Sequence, residues 1–362
     1  MLQALGLVPS QGRAFAEGWT LAMLAWLPFA LLAGVSSIRN RELDPYFRDL
    51  TLHARFLLAV PLVHVGSSIS VRLARQSVHR LADEGFGDRT AFEPLASTVG
   101  VWMEERGKSA ILLVVSVRLG QALLWGAIQA PLELRQAAAQ GEGMRRIWVE
   151  GIGFPIFYFV GLRAILSWAG WCGVLAQLRR VSLRLFPAHP DYCGGLEFLV
   201  LPCRAFCLVI LGVSCILVGD WGAEIAFDAA DVSEFGGLLG AWAVTAVLLT
   251  LGPLVLVSPR LLEARLRGLR EFGALATSYT RLFEERWIRR GPDRPLLGTP
   301  DLQSLADLGN SFRVVREMRV ILVRKRDVLL VLLASVGPAL PLLLTKFPLA
   351  ELLERLFLTV AR

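Results

Sequence analysis

The chain has little charge and almost no lysine. Charged residues make up 19% of 362 positions, hydrophobic residues 54%, and only three of the 38 basic residues are lysine. A soluble globular domain carries about 25% charged residues. A disordered chain needs high charge and low hydrophobicity, the reverse of this balance. Both classes are set aside on composition. The shortage of lysine, with arginine in its place, fits a GC-rich bacterial genome.

Histidine is scarce too, at four residues. Enzyme signatures are missing: there is no HExxH zinc helix, no GxSxG elbow and no Walker A loop. Gly151-Ile152-Gly153 lacks a third glycine and sits in an apolar run, so it is no dinucleotide loop. His79 and its neighbours Asp83 and Glu84 read as a solvated helix face. The five cysteines, Cys172, Cys193, Cys203, Cys207 and Cys215, are odd in number and irregular in spacing, a poor disulfide framework. Cys203 and Cys207 share a helix face and read as packing residues rather than a metal pair. The sequence therefore predicts no metal and no cofactor.

What the chain does have is long uncharged runs. Gly18–Ile38, Phe235–Pro259 and Val328–Thr345 hold 21, 25 and 18 residues without a charge. Phe56–Val71 adds 16 more, and Ser109–Leu132, Gly151–Leu178 and Phe198–Gly219 are interrupted only by Arg118, Arg163 and Arg204. About 20 apolar residues of helix cross a bilayer core. Backbone groups in lipid must be satisfied within the segment, so each run is expected to be a helix. The strand alternation of a barrel is absent. The expected fold is all-α: a polytopic transmembrane bundle of about seven spans, or five or six if an interrupted run is re-entrant. The first run starts late and exceeds a signal-peptide core, so it is read as a retained helix.

Three segments follow from this reading. Residues 1-259 hold spans one to six, 260-326 form a small basic helical cytoplasmic subdomain, and 327-362 hold the last span and tail. Within the second, Leu261–Ile288 is expected to be one long helix, broken at Gly291-Pro292. A further helix over Asp301–Met318 would run towards Arg324-Lys325-Arg326.

Arginine sets the orientation. The loop Asp220–Glu234 carries Asp220, Glu224, Asp228, Asp231 and Glu234 and no basic residue. It is placed outside by the positive-inside rule. Arg179, Arg180, Arg184 and the Arg-rich 260–326 segment then fall inside. The expectation is a bacterial inner membrane, N-terminus cytoplasmic and C-terminus periplasmic. Arg39, Arg41, Arg48 and Arg55, mixed with acids in the first outside loop, go against the rule. The net charge of +7 lies arithmetically in 260–326. It marks contact with anionic lipid or a cytoplasmic protein rather than nucleic acid, because stacking aromatics are few there.

Two constellations carry candidate chemistry. The first is Arg118, Arg163 and Arg204, with His64 in the second span. A charge at mid-bilayer costs at least about 2.5–3.5 kcal/mol, so each needs a partner or water. Glu150, Glu197, Asp220, Glu224, Gln121 and Gln129 are candidates. The arginines either line an anion path or make helix-to-helix ion pairs. The second is the loop Phe186-Pro187-Ala188-His189-Pro190-Asp191-Tyr192-Cys193-Gly194-Gly195-Leu196. His189, Asp191 and Cys193 offer either a ligand or proton set or a turn fixed by Pro190, Asp191 and the glycines. Gly236 and Gly240 form a GxxxG step for close packing, within the chain or between subunits of a homo-oligomer. Prolines in the spans permit kinks.

The His-Pro-Asp step followed by Gly-Gly-Leu resembles a loop of uncharacterised bacterial multi-pass membrane proteins. Leu297–Leu308 is similar to a second part of that group. The resemblance implies membrane location and no activity.

The functional readings are a channel- or transporter-like protein for an anionic solute, a non-transporting scaffold or sensor acting through 260–326, and a membrane-embedded enzyme using His189 and Asp191.

Overall fold

The computed structural model describes residues 11–41, 47, 49–103, 111–119, 121–122, 148–227, 231–289 and 300–342. Among them helix is the only regular structure, and no strand occurs. The elements are α1 (Gln11–Asn40), α2 (Leu50–Asp83), α3 (Glu93–Met103), α4 (Val149–Leu178), α5 (Leu201–Phe227), α6 (Gly236–Leu251), α7 (Ser258–Phe283), α8 (Pro300–Glu317) and α9 (Lys325–Val336). Five stretches are long and apolar enough to cross a membrane: Gly12–Arg39, Leu50–Asp83, Val149–Leu178, Glu197–Ile225 and Val232–Arg289.

The expected count of seven is larger than this five for two local reasons. Much of the run Ser109–Leu132 lies outside the described residues, which hold helix over 111–119 and 121–122. The last run gives α9 and a short tight turn, Gly337–Ala339, and description stops at Leu342. The Gly291-Pro292 break and the tail from residue 343 also lie outside the described residues. The helix expected over Asp301–Met318 ends at Glu317, and the chain is non-helical until Lys325.

Prolines leave their mark on the spans without breaking them. Pro61 follows a wider π turn, Ala54–Ala59, and Pro155 follows another, Val149–Gly153. A proline has no N–H for the carbonyl four residues back. The turn ahead of it instead closes with a bond from Val60 N–H to the Arg55 carbonyl, five residues back. At α4 the matching bond runs from Phe154 to Val149. Pro253 sits in a tight turn, Gly252–Val257, where α6 passes into α7.

The bundle is built on the α2–α5 pair. Three glycines sit where these helices touch. A methyl at Gly66 would lie 2.8 Å from Leu208 Cβ, one at Gly212 3.0 Å from Val63, and one at Gly219 2.9 Å from Ala54. Small residues let membrane helices approach, because packing, not hydrophobicity, drives association in lipid. The GxxxG step of the sequence behaves differently: among the described residues, no atom lies within 4 Å of where a methyl at Gly236, Gly237 or Gly240 would sit.

Contacts give each helix a direction. Gly219 meets Leu50 and Ala54, whereas Pro202 accepts from Ser70, so α5 runs antiparallel to α2. α1 is also antiparallel to α2: Gly18 packs on Pro61 and Val65, and Trp26 bonds His53. α4 is parallel to α2, with Gly153 against Phe56 at one end and Gln177 bonded to Thr98 of α3 at the other. α6 is antiparallel to α5 and so parallel to α4. α9 is parallel to α5, with Asp327 beside Arg204 and Leu342 beside Gly222. One end of the bundle thus gathers Arg179–Leu196, α7, α8 and Arg324-Lys325-Arg326. The other holds Asp220 and the turn 231–235.

Candidate functional site: a charge cluster between apolar helices

His64 stands at the centre of the uncharged run Phe56–Val71, and Arg163 is the lone charge of Gly151–Leu178. Because α2 and α4 run in parallel, these mid-run residues come to the same height. α1 brings a third group. Its antiparallel register, set by Gly18 on Pro61 and Val65, puts Glu17 beside the imidazole. His64 Nε2 lies 3.4 Å from Glu17 Oε2. Arg163 interacts electrostatically with both Glu17 and His64. Three ionisable groups from three helices therefore lie within electrostatic range of one another, with His64 and Glu17 as the direct pair and Arg163 farther off.

The burial of the three is uneven. The His64 side chain is 4% exposed and that of Glu17 is 55% exposed. Nδ1 of His64 is buried and has no hydrogen-bond partner among the described residues. Glu17 was absent from the partners expected of Arg163. It lies one residue before the first uncharged run, and its pairing spans 47 positions.

The remaining arginines lie elsewhere. Arg118 is exposed, and its Nη1 donates to Gln121 Oε1 at 3.4 Å. Arg204 belongs to a second cluster at the basic end. Its Nε donates to Asp327 Oδ1 at 2.7 Å, and its Nη2 lies 3.8 Å from Glu197 Oε1. Glu197 also accepts from Arg324 and, at 3.3 Å, from Arg326. Asp327 is fully buried and caps α9, accepting from the Arg324 backbone N–H at 2.9 Å. Two carboxylates and three guanidinium groups thus tie the start of α5 to the start of α9. Glu197 was among the expected partners; Asp327, the residue just ahead of the last run, was not.

The loop ahead of α5 is ordered around Asp191. Its carboxylate accepts the backbone N–H groups of Cys193 at 2.8 Å, Gly195 at 3.1 Å and Glu197 at 3.1 Å. His189 Nδ1 lies 2.9 Å from Asp191 Oδ1. Burial alone would raise the Asp191 carboxyl, but these donors outweigh it and hold it below the usual carboxylate range. Gly195 has φ of +94° and packs on Phe86, where a methyl would sit 2.7 Å from the ring. Arg319 seals the loop, donating its N–H to the Tyr192 carbonyl and its guanidinium to the Asp191 carbonyl. Cys193 is buried, which pushes its thiol up to about 11. The geometry is that of a braced turn, and among the described residues no group of three or more His, Cys, Asp or Glu is arranged to hold a metal.

Comparison with protein-family models, curated proteins and solved structures finds no match for this chain.

Proposed function

We propose that the chain is a channel- or transporter-like protein of a bacterial inner membrane that handles a small anionic solute. The observation that carries this reading is the meeting of Arg163, His64 and Glu17 from three apolar helices. Ionisable residues inside spans are costly, and they mark solute or proton pathways. Arg163 supplies the charge that attracts the anion, and Glu17 compensates it when the site is empty. Arg118 and Arg204 stand apart, so the site is one arginine deep rather than a lined path.

The helix directions support seven crossings. α3 meets the end of α4 near Gln177, yet α4 begins at the opposite end of the bundle. Residues 104–147 join those ends. α9 parallels α5 from Arg204 to Gly222 and supplies the last crossing. Seven crossings put the termini on opposite sides. The basic end then faces the cytoplasm with the N-terminus, by the positive-inside rule.

Chloride flux into proteoliposomes tests the reading. Wild-type protein is expected to carry the ion, Arg163→Ala to abolish flux while folding normally, and Arg163→Lys to keep part of it. Flux unchanged in Arg163→Ala overturns the assignment.

A scaffold or sensor role for 260–326 is the second reading. It draws on α7, whose Leu262, Leu266, Leu275 and Leu282 are exposed beside exposed arginines. Selective sedimentation with anionic over neutral vesicles, lost when Arg270 and Arg281 are both changed to Gln, would favour it.

A further inference from the structure

We infer that the Glu17–His64–Arg163 cluster binds one proton and one monovalent inorganic anion together. The inference rests on the anion reading of Arg163 given above and adds the coupling ion and the stoichiometry.

The two nitrogens of the His64 imidazole stand in different surroundings. Nε2 is directed at the Glu17 carboxylate, so in the neutral ring it carries the hydrogen. The other nitrogen, Nδ1, is then a bare acceptor. It is buried, and no donor reaches it among the described residues. Such a group is costly to leave unsatisfied. A proton on Nδ1 satisfies the lone pair and makes the ring a cation. Glu17 then has two cations competing for it, and the imidazolium is the one already 3.4 Å away. As Glu17 turns to His64, the Arg163 guanidinium loses its counter-charge inside an apolar helix. A monovalent anion restores it.

Charge counting fixes the ratio. With His64 neutral, Glu17 at −1 and Arg163 at +1, the empty site is neutral. Adding a proton gives +1, and adding an anion alone gives −1. Adding both returns it to zero. An uncompensated charge in the bilayer interior is expensive. The empty and doubly loaded states are therefore the favoured ones, and the pair moves without net charge.

Among the described residues, Glu17 and Arg163 are the charges that act on the imidazole. α5, packed on the neighbouring Gly66, presents Leu208 and Val209, and its cation Arg204 is held by Asp327. α3 carries one charged residue, Glu93, at its start. α1 contributes Glu17 and α4 contributes Arg163.

The test is a titration of His64 in nanodiscs by nitrogen-labelled histidine NMR. The chain has four histidines, and single substitutions of the other three assign the signal. Saturating chloride, compared with gluconate, is expected to strengthen proton binding at His64 about tenfold or more, because linkage is reciprocal. Arg163→Gln removes the chloride effect and raises proton affinity. Glu17→Gln lowers proton affinity. These shifts have opposite signs, which a purely structural role would not produce. A His64 midpoint that is the same in chloride and gluconate overturns the inference, as does a ring that holds one state from pH 4.5 to 9.

Proteoliposomes separate this inference from the transport reading. Chloride uptake driven by a pH gradient and indifferent to membrane potential supports both. Uptake that follows potential and ignores pH overturns the coupling and leaves the anion reading standing. Chloride-linked titration of His64 without any flux overturns transport and leaves the binding site standing.

Discussion

Trp168 of α4 donates its indole N–H to the carbonyl of Leu249 on α6 at 2.8 Å. That carbonyl is the one Pro253, four residues on, has no N–H to satisfy. Were the segment in lipid, no water would take the vacant place. Trp168→Phe is expected to cost about 1–3 kcal/mol through the unsatisfied acceptor. Pro253→Ala supplies a backbone N–H at that position, so the loss in Trp168→Phe should shrink when both changes are combined. A double-mutant cycle of unfolding in detergent measures the coupling, and strictly additive losses would count against it.

The seam of α2 and α5 gives a second expectation. Gly66→Ala places a methyl 2.8 Å from Leu208 Cβ and 3.0 Å from the Val209 backbone nitrogen. Overpacking of this kind costs about 1–3 kcal/mol. Gly236→Ala, with open space around it, should stay within about 0.5 kcal/mol unless a second copy of the chain covers that face. Thermal unfolding of the two variants side by side checks the contrast.

Asp327 is the hub of the basic-end cluster, and its side chain is fully buried. Removing one partner of a buried pair costs about 3–5 kcal/mol because a charge is left behind. Asp327→Ala should show that loss, and Arg204→Met combined with Asp327→Leu should be much milder. Equal instability of the single and the double variant would rule out the pair as the cause.

The loop at Asp191 responds to acid. The folded carboxyl titrates below its unfolded value of about 3.9. Its contribution is therefore complete above about pH 4 and is lost as pH falls through the lower folded value. The Cys193 thiol reports on the loop. Buried and pushed up to about 11, it should resist alkylation at pH 8, since the thiolate is the reactive form. Asp191→Ala strips three backbone N–H groups of their acceptor and should speed labelling of Cys193 at least several-fold. An unchanged labelling rate would mean that the loop is held by other contacts, Arg319 foremost.

The sequence made the apolar helices legible because charge is excluded from lipid. Each of the five stretches long and apolar enough to cross a membrane contains one of the uncharged runs, and only the ends differ. Partnerships were harder to see. Arg204 has Glu197 seven residues away, within one helix's reach, and that pairing was foreseen. Its bond to Asp327 crosses 123 positions, and no local pattern announces it. Glu17 was hidden by its place at the edge of a run, where a charge normally meets headgroups. The glycine seam escaped for another reason: Gly212 and Gly219 are seven apart on α5, and its third member, Gly66, is on another helix and packs on Leu208 and Val209. The GxxxG spacing that drew notice marks a face that meets nothing among the described residues.

The bond between Arg204 and Asp327 also sets an order of assembly. A ribosome adds roughly 5–20 residues per second, so Arg204 waits on the order of ten seconds before Asp327 is made. For that interval the start of α5 holds a guanidinium whose deepest partner does not yet exist. Packing of the early helices is therefore provisional, and it is the arrival of α9 that closes the basic end. A chain cut short before residue 327 would leave Arg204 without that partner and the basic end unlocked.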